Sequence, residues 1–335
     1  MISSIVRRRF LAALGGAAAA ALLRSRVARA QQPALPVVGF VNVASPDTYA
    51  REMAAFRKGL NETGIIEGQN VTVEYHWLEG HYDRRPALIA DLVRRRVAVI
   101  ATPASSQAAL ATKAATATIP IVFGISQDPV QLGLVSSLAR PGGNATGVNF
   151  FTQEVTAKRL RLLHDLVPKA VRIAVLVNPA GGPSTASTIR DVQEAASAVG
   201  LQIRILTAGT IGEIDAAFAT FGQERLDALF VAPDAFFTSR RVQFATLTAR
   251  DRIPATYSQR DLVDSGGLMS YGTDLADMFY QVGIYAASIL KGAKPADLPV
   301  LQSTKFEFVI NLQTARALGI EVPPGVLSIA DEVIE

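Results

Sequence analysis

The chain has 335 residues, 49% of them hydrophobic and 19% charged, which is long for one compact domain and ample for two that each bury a core. It contains no cysteine, which excludes disulfides, a thiol nucleophile and a lipid-modified cysteine. The formal net charge of +4 does not argue for a nucleic-acid partner, because residues 1–30 hold six arginines and no acid; the remainder sets 27 basic against 29 acidic residues, a net charge of −2.

Those first thirty residues read as an export signal. Arg7, Arg8 and Arg9 precede an apolar stretch over 10–23 that is too short to span a bilayer, and Ala28-Arg29-Ala30 forms a small-residue cleavage site before Gln31. Arg7-Arg8-Arg9-Phe10-Leu11 fits the twin-arginine pattern. The mature protein is therefore expected in the periplasm, beginning at Gln31 and carrying no lipid anchor.

From residue 37 onward short apolar runs alternate with amphipathic stretches. Residues 37–43 read as a buried strand. Residues 47–63 form a helix with Asp47 as N-cap and Gly64 as stop. A strand over 71–77, a helix over 83–96, a strand over 97–101, a helix over 106–116 and a strand over 119–123 follow. Strands separated by helices of this length make βαβ units and a parallel sheet. After the turn-rich break Arg140-Pro141-Gly142-Gly143-Asn144 and an apolar run over 145–151, the order returns: strand 171–177, helix 189–199, strand 201–206, helix 214–221, strand 227–231, helix 241–250, strand 254–257. Val41-Asn42 matches Val177-Asn178, Ala101-Thr102-Pro103 resembles Val231-Ala232-Pro233, and Ile119-Pro120 matches Ile253-Pro254, at offsets of 136, 130 and 134 residues. The fold class is α/β, with two similar doubly wound parallel-sheet lobes. The remaining run over 268–272, the long helix over 273–291 and the strand over 304–310 are too little for a third domain, so they complete the two lobes. The expected division is 31–147 with 272–301, and 148–271 with 302–335, joined by about three crossovers that form a hinge.

In an open parallel sheet a ligand binds beyond the carboxyl ends of the strands. That rule selects Asn42, Ser45, Thr102, Ser105, Ser106, Gln127 and Asp128 in the first lobe. In the second it selects Asn178, Asp234, Phe236 and Tyr257, with Tyr271 beyond them as a further aromatic. Hydroxyls before helices offer either plain caps or an anion site at free N–H groups. Asp128 and Asp234 offer either turn caps or a partner for a ligand amine. Phe236, Tyr257 and Tyr271 offer flat faces for stacking. His76, His81 and His164 are scattered, no metal-ligand spacing occurs, and no nucleophile, Rossmann or P-loop motif is present, so neither a metal, a cofactor nor an enzyme activity is expected.

The residues also carry a resemblance. Val38-Gly39-Phe40-Val41-Asn42, Gln127-Asp128-Pro129-Val130-Gln131-Leu132-Gly133, Pro141-Gly142-Gly143-Asn144-Ala145-Thr146-Gly147 and Arg172-Ile173-Ala174-Val175-Leu176-Val177-Asn178-Pro179 look like bacterial ABC-transporter substrate-binding proteins of the tryptophan/tyrosine transport group. So do Gly267-Leu268-Met269-Ser270-Tyr271-Gly272 and Lys305-Phe306-Glu307-Phe308-Val309-Ile310-Asn311-Leu312. The resemblance covers nearly the whole chain. It implies a type I periplasmic-binding-protein fold, a small-molecule ligand, and a separately encoded permease and ATPase as partners. By position it implies Thr102, Ser105, Ser106 and Asp128 in the first lobe, and Asn178, Asp234, Tyr257 and Tyr271 in the second, as ligand contacts. A ligand-sensing partner of a membrane receptor is the alternative, and an enzyme on the same scaffold a more distant one.

Overall fold

The structure is a computed structural model that describes residues 34–150 and 153–335; the export signal expected over 1–30 lies outside the described residues. In chain order the elements are β1 (Val37–Asn42), α1 (Ala50–Glu62), β2 (Thr72–Trp77), α2 (Arg85–Arg95), β3 (Val99–Thr102), α3 (Ser106–Ala115), β4 (Ile121–Ile125) and β5 (Ala145–Phe150). They continue as α4 (Gln153–Leu166), β6 (Arg172–Val177), α5 (Pro183–Val199), β7 (Gln202–Thr207), α6 (Ile211–Glu224), β8 (Ala228–Val231), α7 (Ala235–Ser239), α8 (Arg241–Asp251), β9 (Ala255–Tyr257), α9 (Arg260–Asp264) and β10 (Met269–Thr273). The chain ends with α10 (Leu275–Leu290), β11 (Leu301–Ser303), β12 (Phe306–Asn311), α11 (Leu312–Leu318), α12 (Pro324–Leu327) and β13 (Glu332–Ile334).

Two sheets result. The first has the order β11-β5-β4-β3-β1-β2 and the second β13-β12-β10-β9-β8-β6-β7. All pairings are parallel except β10 with β12, where Met269 faces Ile310 and Thr273 faces Phe306. That antiparallel pair is the one departure from the expected all-parallel rhythm. Central strands such as Val38–Val41 and Ile173–Val177 are buried on both faces, because helices cover both sides, and this explains their unbroken apolar composition.

The chain passes between the sheets three times: from β5 to α4, from β10 to α10, and from β11 to β12. Strands β5, β10 and β11 end at Phe150, Thr273 and Ser303, a few residues past the junctions expected from sequence. The long helix α10 follows the second lobe in sequence but packs on the first. Met278, Phe279 and Val282 join Phe40 and Phe56 in one buried cluster. Gly59 on α1 and Gly283 on α10 make this possible, since a Cβ at either would collide with the carbonyl oxygen of Tyr280 or Phe56 respectively. Helix α4 was not legible in the rhythm of the sequence, yet it opens the second lobe, burying Leu160, Leu163 and Leu166 beside Ile173 and Val175.

Candidate functional site

Each sheet reverses its winding beside its first strand, between β1 and β3 in one and between β6 and β8 in the other, and a crevice opens at such a point. The two crevices are pinned alike. Asn42, just 1% exposed, accepts the Ala44 N–H (2.8 Å) and donates through Nδ2 to the Pro103 carbonyl (3.3 Å). Asn178 accepts the Ala180 N–H (3.0 Å) and donates through Nδ2 to Asp234 Oδ1 (3.0 Å). The repeated Val-Asn of the sequence is thus a repeated brace that ties two neighbouring strand ends together.

The strand ends of both lobes line one cavity of about 170 Å³, on the scale where a single water needs about 10–15 Å³. The first lobe contributes the start of α3. Ala104 holds a left-handed backbone (φ 59°), an uncommon and costly conformation for a residue with a Cβ, and it turns Ser105 and Ser106 toward the cavity. Ser105 caps α3 by accepting the Ala108 N–H (3.2 Å), and Ser106 donates to Gln127 Oε1. Gln107 accepts from Arg85 Nη1 (2.8 Å) and donates across the cleft to the Ala180 carbonyl (3.1 Å), so the lobes already touch. Ala235 of the second lobe also packs against the first lobe's apolar clusters.

The second lobe contributes Asp234 and, from α4, Thr156 and Arg159. Asp234 Oδ1 collects three bonds, from Asn178 Nδ2 (3.0 Å), the Phe236 N–H (2.9 Å) and the Phe237 N–H (3.3 Å). Burial nevertheless holds its carboxyl above the usual range, with these three donors pulling the other way. Arg159 is 1% exposed; its Nη2 donates to the Val231 carbonyl (3.1 Å) and its guanidinium lies 3.9 Å from the Phe230 ring centre. Aromatic surface comes from Tyr49, Tyr82 and Phe150. Burial pushes the Tyr82 hydroxyl up to about 12, with the charge of Asp234 adding to it.

Of the residues singled out from sequence, Ser105, Ser106 and Asp234 line this cavity. Asn42 and Asn178 brace it, and Thr102 lies fully buried at the end of β3. Gln127 stands behind Ser106 and also accepts from Asn149 Nδ2 through its backbone carbonyl (2.7 Å). Ser45 is spent on Thr48, hydroxyl to hydroxyl at 3.2 Å.

The structure does not bring the remaining four to the cavity. Asp128 is exposed and caps its own turn, accepting the N–H groups of Val130 (2.8 Å) and Gln131 (3.2 Å). Tyr257 is 1% exposed in the second lobe's core, edge-on to Phe244 at 6.3 Å, because it shares its strand face with Ala255. Phe236 packs beside Phe237 with the Arg240 guanidinium over it, and Tyr271 stacks on Phe306 (6.1 Å) in a separate hollow with Lys158 and Phe308. Sequence reasoning missed Tyr49, Tyr82, Gln107, Thr156 and Arg159. For Arg159 a signal existed: Val155, Leu162, Leu163 and Leu166 fall three, four and seven positions away, so this arginine sits on the apolar stripe of its helix.

Comparison with known proteins places this arrangement. A family model for ABC transporter substrate binding proteins matches residues 37–334. The tyrosine-binding protein of Clostridioides difficile (strain R20291) is 26% identical over 287 residues, 85% of this chain and 81% of that one. An ABC domain from Streptococcus pneumonia solved in complex with L-Trp is 26% identical and superposes with a TM-score of 0.81, over 90% of this chain and 100% of the other. A ligand-free, open substrate binding protein from Clostridium difficile, 23% identical, covers 90% of this chain and 99% of its own with a TM-score of 0.64, and shares the fold.

Proposed function

The chain belongs to the ABC transporter substrate-binding protein family, and we propose that it captures an amino acid or a related aromatic carboxylate in the interlobe cleft and delivers it to a membrane permease driven by a separate ATPase. The observation that carries this reading is the single cavity built from strand ends of both sheets, with neutral donors at the start of α3 on one side and Asp234 on the other. A ligand there is held by both lobes at once, which is how a small molecule stabilises a closed hinge: it makes contacts in the closed state that the open one lacks. The bonds of Asp234 converge on Oδ1, so Oδ2 is the oxygen that would meet a ligand amine. The hydroxyls of Ser105 and Ser106 and the first N–H groups of α3 would meet an acceptor. Tyr49, Tyr82 and Phe150 would enclose an apolar or aromatic body.

The named relatives support the ligand class, since one is a tyrosine-binding protein and another was solved with L-Trp. The better superposition on the L-Trp complex than on the ligand-free open protein fits lobes that are drawn together, as does the Gln107 to Ala180 bond across the cleft. Such a protein works outside the cytoplasmic membrane, which agrees with the export signal read over 1–30, and it binds and releases its ligand without chemistry. Mass spectrometry of compounds released by denaturing the purified protein tests the proposal. A small amine- or acid-bearing compound that rebinds with a 1:1 stoichiometry in calorimetry is expected. Release of nothing, together with no heat from any of the twenty amino acids or from benzoate and phenylacetate, would refute it.

A further inference from the structure

A guanidinium that is 1% exposed is costly wherever it is not matched by an anion. An ionised side chain taken out of water loses several kcal/mol of hydration that only a partner charge and hydrogen bonds return. Arg159 has little of either. Of its five N–H donors one is accounted for by the Val231 carbonyl, its Nε is buried without a hydrogen-bond partner among the described residues, and the Phe230 face supplies a weak cation–π contact. Burial pulls its pKa down to about 9, with no acidic neighbour among the described residues pulling back, so it stays charged at neutral pH. The side chain lines the interlobe cavity, and so do Thr156, one turn earlier on α4, and Thr188 on the neighbouring α5, which are 3% and 4% exposed. Val231 closes β8, so the guanidinium stands at a strand's carboxyl end, where ligands of such sheets bind.

We infer that Arg159, with Thr156 and Thr188 lining the same cavity, is the anion-recognition point of the cleft and takes a carboxylate of the ligand. The inference rests on the reading of the cleft as a ligand site and narrows it to acidic ligands. A planar guanidinium meets a carboxylate through two parallel N–H···O bonds, and the two threonines of the same cavity offer hydroxyls to its remaining lone pairs. The anion supplies the charge that the described residues do not, so arrival of the ligand removes a standing cost of the empty fold. An amine without an acid gains nothing from this corner and suffers its positive field.

The test uses the whole mature chain and three matched probes: L-tyrosine, 3-(4-hydroxyphenyl)propionate, which lacks the amine, and tyramine, which lacks the carboxylate. Wild type, Arg159→Met and Arg159→Lys are titrated with each by calorimetry, and their unliganded melting temperatures are recorded. Wild type is expected to bind the two acids and to discriminate against tyramine, and Arg159→Met to weaken the acids by roughly 30-fold or more. Arg159→Lys, which keeps the charge and loses the fork, should fall between, and it carries the comparison if Arg159→Met does not fold. Unliganded Arg159→Met should melt no lower than wild type, whereas an arginine that merely pins the Val231 carbonyl would lower the melting temperature and leave affinity unchanged. The inference is overturned if tyramine binds wild type as tightly as tyrosine does, or if Arg159→Met binds the acids like wild type; the reading of the cleft survives either result. If all three probes fail on wild type, the aromatic amino-acid reading is what fails. Arg159 is then judged on the compound released by denaturation, upheld if that compound bears an acid and loses affinity in Arg159→Met, and overturned if it bears none.

Discussion

On the first-lobe side of the cleft the start of α3 offers hydroxyls and an amide, each already tied to a neighbour: Ser105 to the Ala108 N–H, Ser106 to Gln127, Gln107 to Arg85. On the second-lobe side Asp234 and Arg159 are drawn into the protein, and burial shifts both against their charged forms. The two lobes share a topology, a switch point and an asparagine brace, and they still divide the work. Neutral donors cost little to expose when the lobes part, so they suit a surface that opens and closes. Ions held at fixed positions and partly desolvated discriminate between ligands, because a mismatched partner leaves a charge unpaired. The frame is common to both lobes, and the residues at the strand ends set their chemistry apart.

The comparison breaks most sharply at the two strand-end aspartates. Asp234→Ala should weaken binding of an amine-bearing ligand by roughly 30-fold or more, because truncating one partner of a buried charge pair costs about 2–5 kcal/mol. Asp128→Ala, beyond the end of β4 in the first lobe, should leave affinity unchanged, since that carboxylate is exposed and spent on its own turn. Equal losses in calorimetric titrations would erase the proposed division between the lobes.

A smaller effect concerns pH. Glu52 on α1 is 7% exposed, and burial raises its pKa from 4.5 to about 7, with Asp261 of the second lobe adding to the shift. An acid whose folded pKa is raised lends stability in its protonated form, fully below about 4.5 and lost as pH climbs through about 7. The loss amounts to at most about 3 kcal/mol. Denaturant titrations of the unliganded protein between these pH values should show this decline, and Glu52→Gln should flatten it. A slope that Glu52→Gln leaves unchanged would show that the carboxyl is hydrated where the two lobes meet.

The smallest expected effect is at the neutral edge. Ser106→Ala removes one hydroxyl from a site that retains the N–H groups of α3, and should cost about 1 kcal/mol of affinity, several-fold in Kd. A loss as large as that from Asp234→Ala would mean that the first lobe carries recognition after all.

Much of this was legible beforehand. Apolar runs of strand length, spaced by amphipathic helices, dictate both sheets, and the echo of Val41-Asn42 in Val177-Asn178 marks a brace that the fold uses twice. Of the positions the strand-end rule selects, Ser105, Ser106 and Asp234 line the cavity. The rule could not tell Asp128 from Asp234, because both follow strands, and only the packing of Asn178 and α7 around Asp234 turns that one inward. The aromatics it selects do not line the cavity, for a related reason. Whether a residue near a strand end faces a cleft or a core depends on strand parity and on which helix lies opposite, and Tyr257 differs from a cleft residue by one step in the chain. Tyr49 sits just before α1 and Tyr82 opens a single 3-10 turn before α2, segments too short for periodicity to read, and Arg159 lies on a helix that begins at a crossing between lobes.

The central claim is that the two edges close on one ligand. Small-angle X-ray scattering of the mature protein, with and without a saturating amount of the compound released from it, measures this most directly. The radius of gyration should fall on binding, because the ligand joins the start of α3 to Asp234 and holds the lobes together. An unchanged radius at saturation, with binding verified by calorimetry in the same buffer, would contradict closure.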